Sequence, residues 1–265
     1  VGQASCSSLC SSQPLADRPG SQREVRTLFP IRDNIYRTHA PIVVWIIIAA
    51  NVVGFLYELT LDPVQLQVFL NKHGLVPARY FFTAWGWQAG LSPYDFTPFV
   101  TNTFLHGGFL HIIMNMWTLW IFGPALEDRL GPGRFAILYL AAGVLASFTH
   151  AAFNAGATMP VLGASGAIAG IIAAYAVRFP FAWIRVLVLI VIIPIFFSVP
   201  AVVFAGIWFL IQVLQGTSEL LMPSAAGGIA WWAHIGGFLS GWMLLLMLEH
   251  PARAPVRYHG GPWET

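Results

Sequence analysis

Few residues of this chain are suited to chemistry. Ser165 sits in Gly163-Ala164-Ser165-Gly166-Ala167, and His234 is followed by Gly236, Gly237 and Gly241. A serine hydroxyl is a weak nucleophile until a neighbouring imidazole takes its proton. Gly166 with Gly170, and Gly237 with Gly241, have the Gly-three-Gly spacing that lets two apolar helices approach closely. A serine on one such helix and a histidine on the other can therefore meet at hydrogen-bonding distance. His111 and Asn115 are four apart, so they share one face of one helix. His106 precedes them and His150 lies further along, and taken alone each reads as a residue at the membrane interface. No Asp or Glu falls well inside an apolar stretch, because Glu58, Glu127, Asp128, Glu219 and Glu249 all sit near the ends. The residues thus suggest a Ser–His dyad rather than a triad with a carboxylate.

The elements that must hold these groups are membrane spans. Hydrophobic residues make up 57% of the 265 and charged residues only 9%, against about 25% in ordinary soluble domains. One soluble core could not bury so much apolar surface, and the surplus must face lipid. At about 20 apolar residues per span, six are expected, at 41–58, 102–123, 133–153, 162–178, 200–215 and 227–248. Residues 59–100 carry Trp85, Trp87, several Phe and Tyr, and four prolines. They read as a long loop of short helices at the membrane interface, where aromatic rings are favoured. The stretch Val186–Val199, interrupted by Pro194, reads as a membrane-associated connection. The expected domain organisation is a flexible cytoplasmic tail over 1–38, a six-span domain over 39–249 and a cytoplasmic tail over 250–265. The fold class is an all-α membrane bundle.

With the N-terminus inside, eleven of the thirteen Lys and Arg fall on cytoplasmic segments, leaving Lys72 and Arg79 outside. That matches the bias of cytoplasmic loops toward positive charge. The second, fourth and sixth spans then enter from outside. Ser165 lies a few residues deep, His234 about seven, and His111 and Asn115 about a turn deeper. These groups are expected in one layer of the outer leaflet. A net charge of +2 without a basic run gives no support for nucleic-acid binding. Cys6 and Cys10 in the leader have no expected structural role. His106 and His111, five apart, diverge by about 140° on a helix, which argues against a shared metal.

These residues together resemble the rhomboid intramembrane serine proteases, bacterial members in particular. The resemblance rests on Gly163-Ala164-Ser165-Gly166, on Ala233-His234 with Gly237 and Gly241, and on His106 with His111 and Asn115. It also rests on Leu126-Glu127-Asp128-Arg129-Leu130-Gly131 and on the entry segment Leu28-Phe29-Pro30-Ile31-Arg32-Asp33. It spans about residues 28–250. It implies a rhomboid-like bundle with Ser165 as nucleophile and His234 as general base. His111, Asn115 and the Ser165 backbone N–H would donate to the oxyanion. His106, Gly163, Gly166, Gly237 and Gly241 would be supporting residues. The implied substrates are single-span or other membrane proteins, cut in or near their spans. The fifth span and the segment 216–226 would form the gate. The implied location is a bacterial cytoplasmic membrane. No metal or organic cofactor is implied. Two positions differ from many members. Thr97 and Pro98 stand where a Trp-Arg pair braces the loop. Ala169 stands where an aromatic ring would pack on the base, so another group must hold His234, with Trp231 or Trp232 expected.

Readings from other classes are a transporter or channel, a non-catalytic binder of membrane proteins, and a metal site at His106, His111 and His234. A transporter would be expected to show paired broken helices or an inverted repeat, and no internal repeat is evident. Non-catalytic relatives usually lack the serine or the histidine, and both are present. A base must be neutral to accept a proton, so activity is expected to fall in acid.

Overall fold

The computed structural model describes residues 29–190, 193–221, 230–249 and 258. The first part of the expected N-terminal tail with its two cysteines, most of the C-terminal tail, and the 222–226 part of the expected gate lie outside the described residues.

A strand, β1 (Phe29–Asp33), comes first, so the last part of the expected tail is ordered. Helix α1 (Ile42–Glu58) has no side-chain cap of its own. Its N-terminus is capped from elsewhere, because Glu127 accepts from the N–H groups of Val43 and Val44, each at 2.8 Å. A carboxylate there satisfies orphan donors and meets the positive end of the helix dipole.

The long loop folds as expected into short helices: α2 (Pro63–His73), α3 (Ala78–Phe81), α4 (Thr83–Gln88) and α5 (Pro98–Thr101), followed by a 3-10 turn at Asn102–Phe104. Asp62 and Gln65 make a capping box at the start of α2, with Pro63 in the first turn, where proline costs nothing. Arg79 braces the loop's interior. Buried almost completely, it donates to Ser92 O from Nε (3.0 Å) and Nη2 (2.8 Å), and reaches Asp95 at 3.2 Å. This is how the loop manages with Thr97 and Pro98 in place of a Trp-Arg pair. The guanidinium comes from another position, and Thr97 supports it by donating to Asp95 from Oγ1 at 2.6 Å.

Helix α6 (Phe109–Leu130) ends at Gly131, whose φ of 81° turns the chain, and Pro132 opens α7 (Pro132–Phe153). Helix α8 (Ser165–Arg178) is central, with every residue from Gly166 to Ala176 buried. Its 14 residues span about 21 Å, less than a hydrocarbon core of about 30 Å. Its flanks touch protein rather than lipid.

Two further strands follow, β2 (Trp183–Ile190) and β3 (Ile193–Pro200), and β2 pairs antiparallel with both β1 and β3. The expected membrane-associated connection is therefore a hairpin, and the domain is mostly helical rather than all-α. The chemistry favours strands here. The run is β-branched, and Ile184, Val186 and Val188 alternate onto one buried face. Pro30, Pro194 and Pro200 all lie on the two edge strands, where a missing N–H is tolerated. The sheet is tied to the bundle by Trp117, which donates to Pro30 O at 2.8 Å, and by Tyr175, which donates to Asp33 at 2.8 Å.

Helices α9 (Ala201–Leu221) and α10 (Trp231–Leu248) complete the bundle. Among the described residues, four helices, α6, α7, α9 and α10, are long and apolar enough to cross a membrane, while α1 and α8 are shorter apolar helices. Large apolar side chains such as Ile46, Val53, Leu210, Leu214, Leu246 and Met247 are exposed on the outside, as a lipid-facing surface requires.

Candidate active site

Three helices begin at the same place. Ser165 is the first residue of α8, His234 the fourth of α10, and His111 and Asn115 the third and seventh of α6. These groups lie shallower than span lengths suggest, because α6 starts at Phe109 rather than near 102 and α10 at Trp231 rather than near 227. His106 consequently sits in the turn before α6 instead of inside a span.

Backbone contact sets the distance between α8 and α10. A Cβ on Gly237 would overlap the carbonyl of Gly166, and one on Gly241 would overlap the backbone of Gly170. On the other side of α8, Gly166 and Gly170 face Ala146 and Ala142 of α7. With nothing larger than hydrogen between them, the two helices bring Ser165 Oγ to 2.8 Å from His234 Nε2. That is the hydrogen bond a serine–imidazole pair needs.

His111 and Asn115 stand over the peptide that leads into Ser165. Gly163 has a φ of 119°, and a Cβ there would lie 2.6 Å from His111 Nε2 and 3.5 Å from Asn115 Nδ2. Glycine is required on both counts. Gly163 is held from behind, its N–H donating to Asn102 O at 2.9 Å. The Gly107 N–H points at His111 Nδ1 at 3.4 Å, so the imidazole's own hydrogen belongs on Nε2, toward Gly163. Asn115 Nδ2 is buried and has no acceptor among the described residues. Two side-chain donors thus converge on Gly163, two residues before Ser165. The N-termini of α6, α8 and α10 add their positive dipole ends, so the site favours a developing negative charge. A small cleft beside Ser165 is lined by Asn102, Ser147, Val161, Gly163 and Ala233.

Supporting groups differ from expectation in three ways. His106 is buried, its ring edge-on to His111 at 5.0 Å, and its N–H donates to Glu58 at 3.2 Å. His150, expected at the interface, is buried as well. Trp232 stacks on Phe153 at 3.9 Å instead of on His234, and Trp231 meets His234 only edge-on at 6.2 Å. The ring that leans over His234 is Trp208 of α9, at 5.7 Å, and Gln212 Oε1 lies 2.8 Å from His234 Nδ1. Gln212 was missed although a signal existed, since it is one of two glutamines in the otherwise apolar run 201–215. Among the described residues, no three His, Cys, Asp or Glu side chains are grouped to hold a metal.

A family model described as the Rhomboid domain matches residues 93–250. The chain is 36% identical over 97 residues to the presenilin-associated rhomboid-like protein A, mitochondrial, of Danio rerio, covering 36% of this chain and 25% of that one. It is 32% identical over 110 residues to the putative rhomboid protease YdcA of Bacillus subtilis, covering 40% and 52%. It is 28% identical over 213 residues to the rhomboid protein 1, mitochondrial, of Saccharomyces cerevisiae, covering 78% and 53%. The chain spans between a quarter and about half the length of these relatives. Two of the three are mitochondrial, so the expected bacterial cytoplasmic membrane is not supported. The matched stretch takes in more than half of the chain and includes Gly163-Ala164-Ser165-Gly166, His234 with Gly237 and Gly241, and His111 with Asn115; this protein is a member of the rhomboid family.

Proposed function

We propose that this chain is an intramembrane serine endopeptidase that hydrolyses peptide bonds in or near the spans of other membrane proteins. The carrying observation is the 2.8 Å contact between Ser165 Oγ and His234 Nε2 beside two side-chain donors, one of them buried without a partner among the described residues. Ser165 attacks the scissile carbonyl while His234 takes its proton. The oxyanion of the tetrahedral intermediate accepts from the Ser165 N–H, His111 Nε2 and Asn115 Nδ2. Collapse expels the amine, which receives the proton from His234, and leaves an acyl ester on Ser165. Water, deprotonated by His234, then attacks the ester, and as the Ser165 C–O bond breaks His234 returns the proton to Ser165 Oγ and the acid is freed. His106 supports the oxyanion donors through its contact with His111.

In this reading residues 39–249 form the catalytic domain, with the four long helices and the shorter α1 and α8 all within the bilayer and both tails on the same side of it. The short α8 is consistent with that count, because a helix enclosed by protein can stop where a water-filled cleft begins. The scissile segment should be locally unstable as a helix, since a stable helix keeps its carbonyls bonded. It would enter sideways past α9. The two mitochondrial relatives and the bacterial one leave the membrane to be fixed by where the protein is made.

The test is cleavage of a single-span substrate by purified protein, comparing wild type with Ser165→Ala and His234→Ala. Cleavage by wild type and silence from both folded variants supports the mechanism. Cleavage by Ser165→Ala at the wild-type rate would sink it. If nothing cleaves, a fluorophosphonate landing on Ser165 separates an unsuitable substrate from a non-catalytic binder, which would not be labelled.

A further inference from the structure

His234 has a second partner, on the side away from Ser165. Gln212 reaches it from α9, and both residues are buried, so water does not compete for the contact. The direction of every hydrogen bond in this chain of groups follows from its far end. A carbonyl oxygen can only accept. Trp208 O, one turn back on α9, therefore takes a hydrogen from Gln212 Nε2 at 3.1 Å. That turns the amide so that Oε1 faces His234 Nδ1 at 2.8 Å. The flipped amide would set its oxygen against the Trp208 carbonyl oxygen in apolar surroundings, two acceptors with no hydrogen between them. An amide oxygen also only accepts, so Nδ1 must carry the hydrogen of the neutral ring. Nε2 is then bare, and it is the nitrogen 2.8 Å from Ser165 Oγ.

We infer that Gln212 is the positioning residue of this site, holding His234 in the one tautomer able to accept the Ser165 proton. The inference rests on the reading of Ser165 and His234 as nucleophile and base. When the ring takes the proton, Nδ1–H stays bonded to the same oxygen, so no rearrangement accompanies the step. Gln212 does the orienting work of a carboxylate without placing a charge in the bundle. It also supplies the support that Ala169 on α8 does not. The histidines nearest to His234 from α6 and α7 are His111 and His150. Helix α9 thereby becomes part of the catalytic apparatus. A movement that carries Gln212 away from α10 frees the imidazole and turns the site off, so substrate must pass α9 without breaking this contact.

The experiment compares wild type, Gln212→Leu and Gln212→Glu in two readouts. The first is kcat and KM on a single-span substrate across about pH 5 to 9, the range in which histidine titrates. The second is the 15N signal of the His234 ring in histidine-labelled protein, assigned through His234→Ala. Gln212→Leu should lose about tenfold or more in kcat with KM little changed, and its His234 should no longer hold a single Nδ1–H form. Gln212→Glu keeps the acceptor and should recover kcat. Its added carboxylate makes His234 more basic, so the acid limb should move up by about one pH unit or more. A purely structural role would lower stability without moving that limb. Wild-type kcat in Gln212→Leu, or hydrogen on Nε2 of wild-type His234, overturns the inference. If wild type neither cleaves substrate nor takes a fluorophosphonate on Ser165, yet shows Nδ1–H that Gln212→Leu loses, Gln212 keeps its positioning role and the protease reading fails instead. If Gln212→Leu does not fold, the wild-type tautomer and the Gln212→Glu limb decide.

Discussion

At the scale of single residues, the proposed oxyanion donors separate function from stability. Asn115 Nδ2 is buried with no acceptor among the described residues, and an unsatisfied buried donor costs stability. A donor aimed at transition-state charge is worth about 10²- to 10³-fold in kcat. Asn115→Ala should therefore lower kcat by about that factor with the melting temperature unchanged or raised. Thermal unfolding in detergent together with steady-state kinetics checks both halves. A variant that loses stability along with activity would mark Asn115 as a packing residue. Gly163 is constrained differently, because both its φ and the nearby His111 ring forbid a side chain.

At the scale of elements, the decisive contact is α8 against α10. Their separation is set by Gly166 and Gly170 on one side and Gly237 and Gly241 on the other. Even a methyl group must push the backbones apart, and forced overpacking costs about 1–3 kcal/mol. Gly241→Ala should lower the unfolding free energy by about that amount and should also reduce activity, since it sits two turns below the Ser165–His234 bond. Gly206 on α9 provides the control, as nothing lies within 4 Å of its would-be Cβ. Gly206→Ala should be neutral or stabilising by up to about 1 kcal/mol, because alanine favours the helix. Equal losses for the two variants, measured by denaturation in mild detergent, would show that close approach is not what the α8–α10 glycines provide.

At the scale of the whole molecule, the site is held from both ends. Far from it, Glu249 binds Arg129 at 3.1 Å and Arg178 at 2.5 Å, tying together the C-terminal ends of the three helices whose N-termini form the site. Near it, the first loop acts as a buttress. Asn102 O receives the Gly163 N–H, and Leu75 exchanges backbone hydrogen bonds with Val161. That loop depends on Asp95, which bridges Arg79 and Thr97. Partial burial pushes the Asp95 carboxyl up, but the Thr97 hydroxyl and N–H and the Arg79 guanidinium outweigh it, and the net shift is below the ordinary 3.8. A carboxylate depressed on folding contributes stability that is complete above its unfolded value and vanishes as pH falls through the folded one. Asp95→Asn should thus melt below wild type at neutral pH, with the gap closing as pH drops below about 4. A gap that widens in acid would contradict this role of the loop.

Composition, span lengths and the glycine spacing are local properties, and the sequence alone was enough to determine a membrane bundle, the helices that touch and the family. The order of Gly163, Ser165, His234 and Gly241 along two short-residue helices already implied a serine beside a histidine, because only small residues permit that approach. Helix starts were placed too early at α6 and α10, since apolar residues run on past the point where Gly107-Gly108 and Trp231 set the real ends. The Val186–Val199 hairpin looked like a membrane connection because an apolar β-branched run reads alike in a strand and in lipid until its partner, β1, is known. Arg79 and Gln212 show the same limit more sharply. A guanidinium that braces a loop from sixteen residues before Asp95, and an amide that meets an imidazole twenty-two residues later, leave no periodic trace. Their partners are chosen by how the chain packs, so only the tertiary structure could decide which side chain holds the loop and which holds His234.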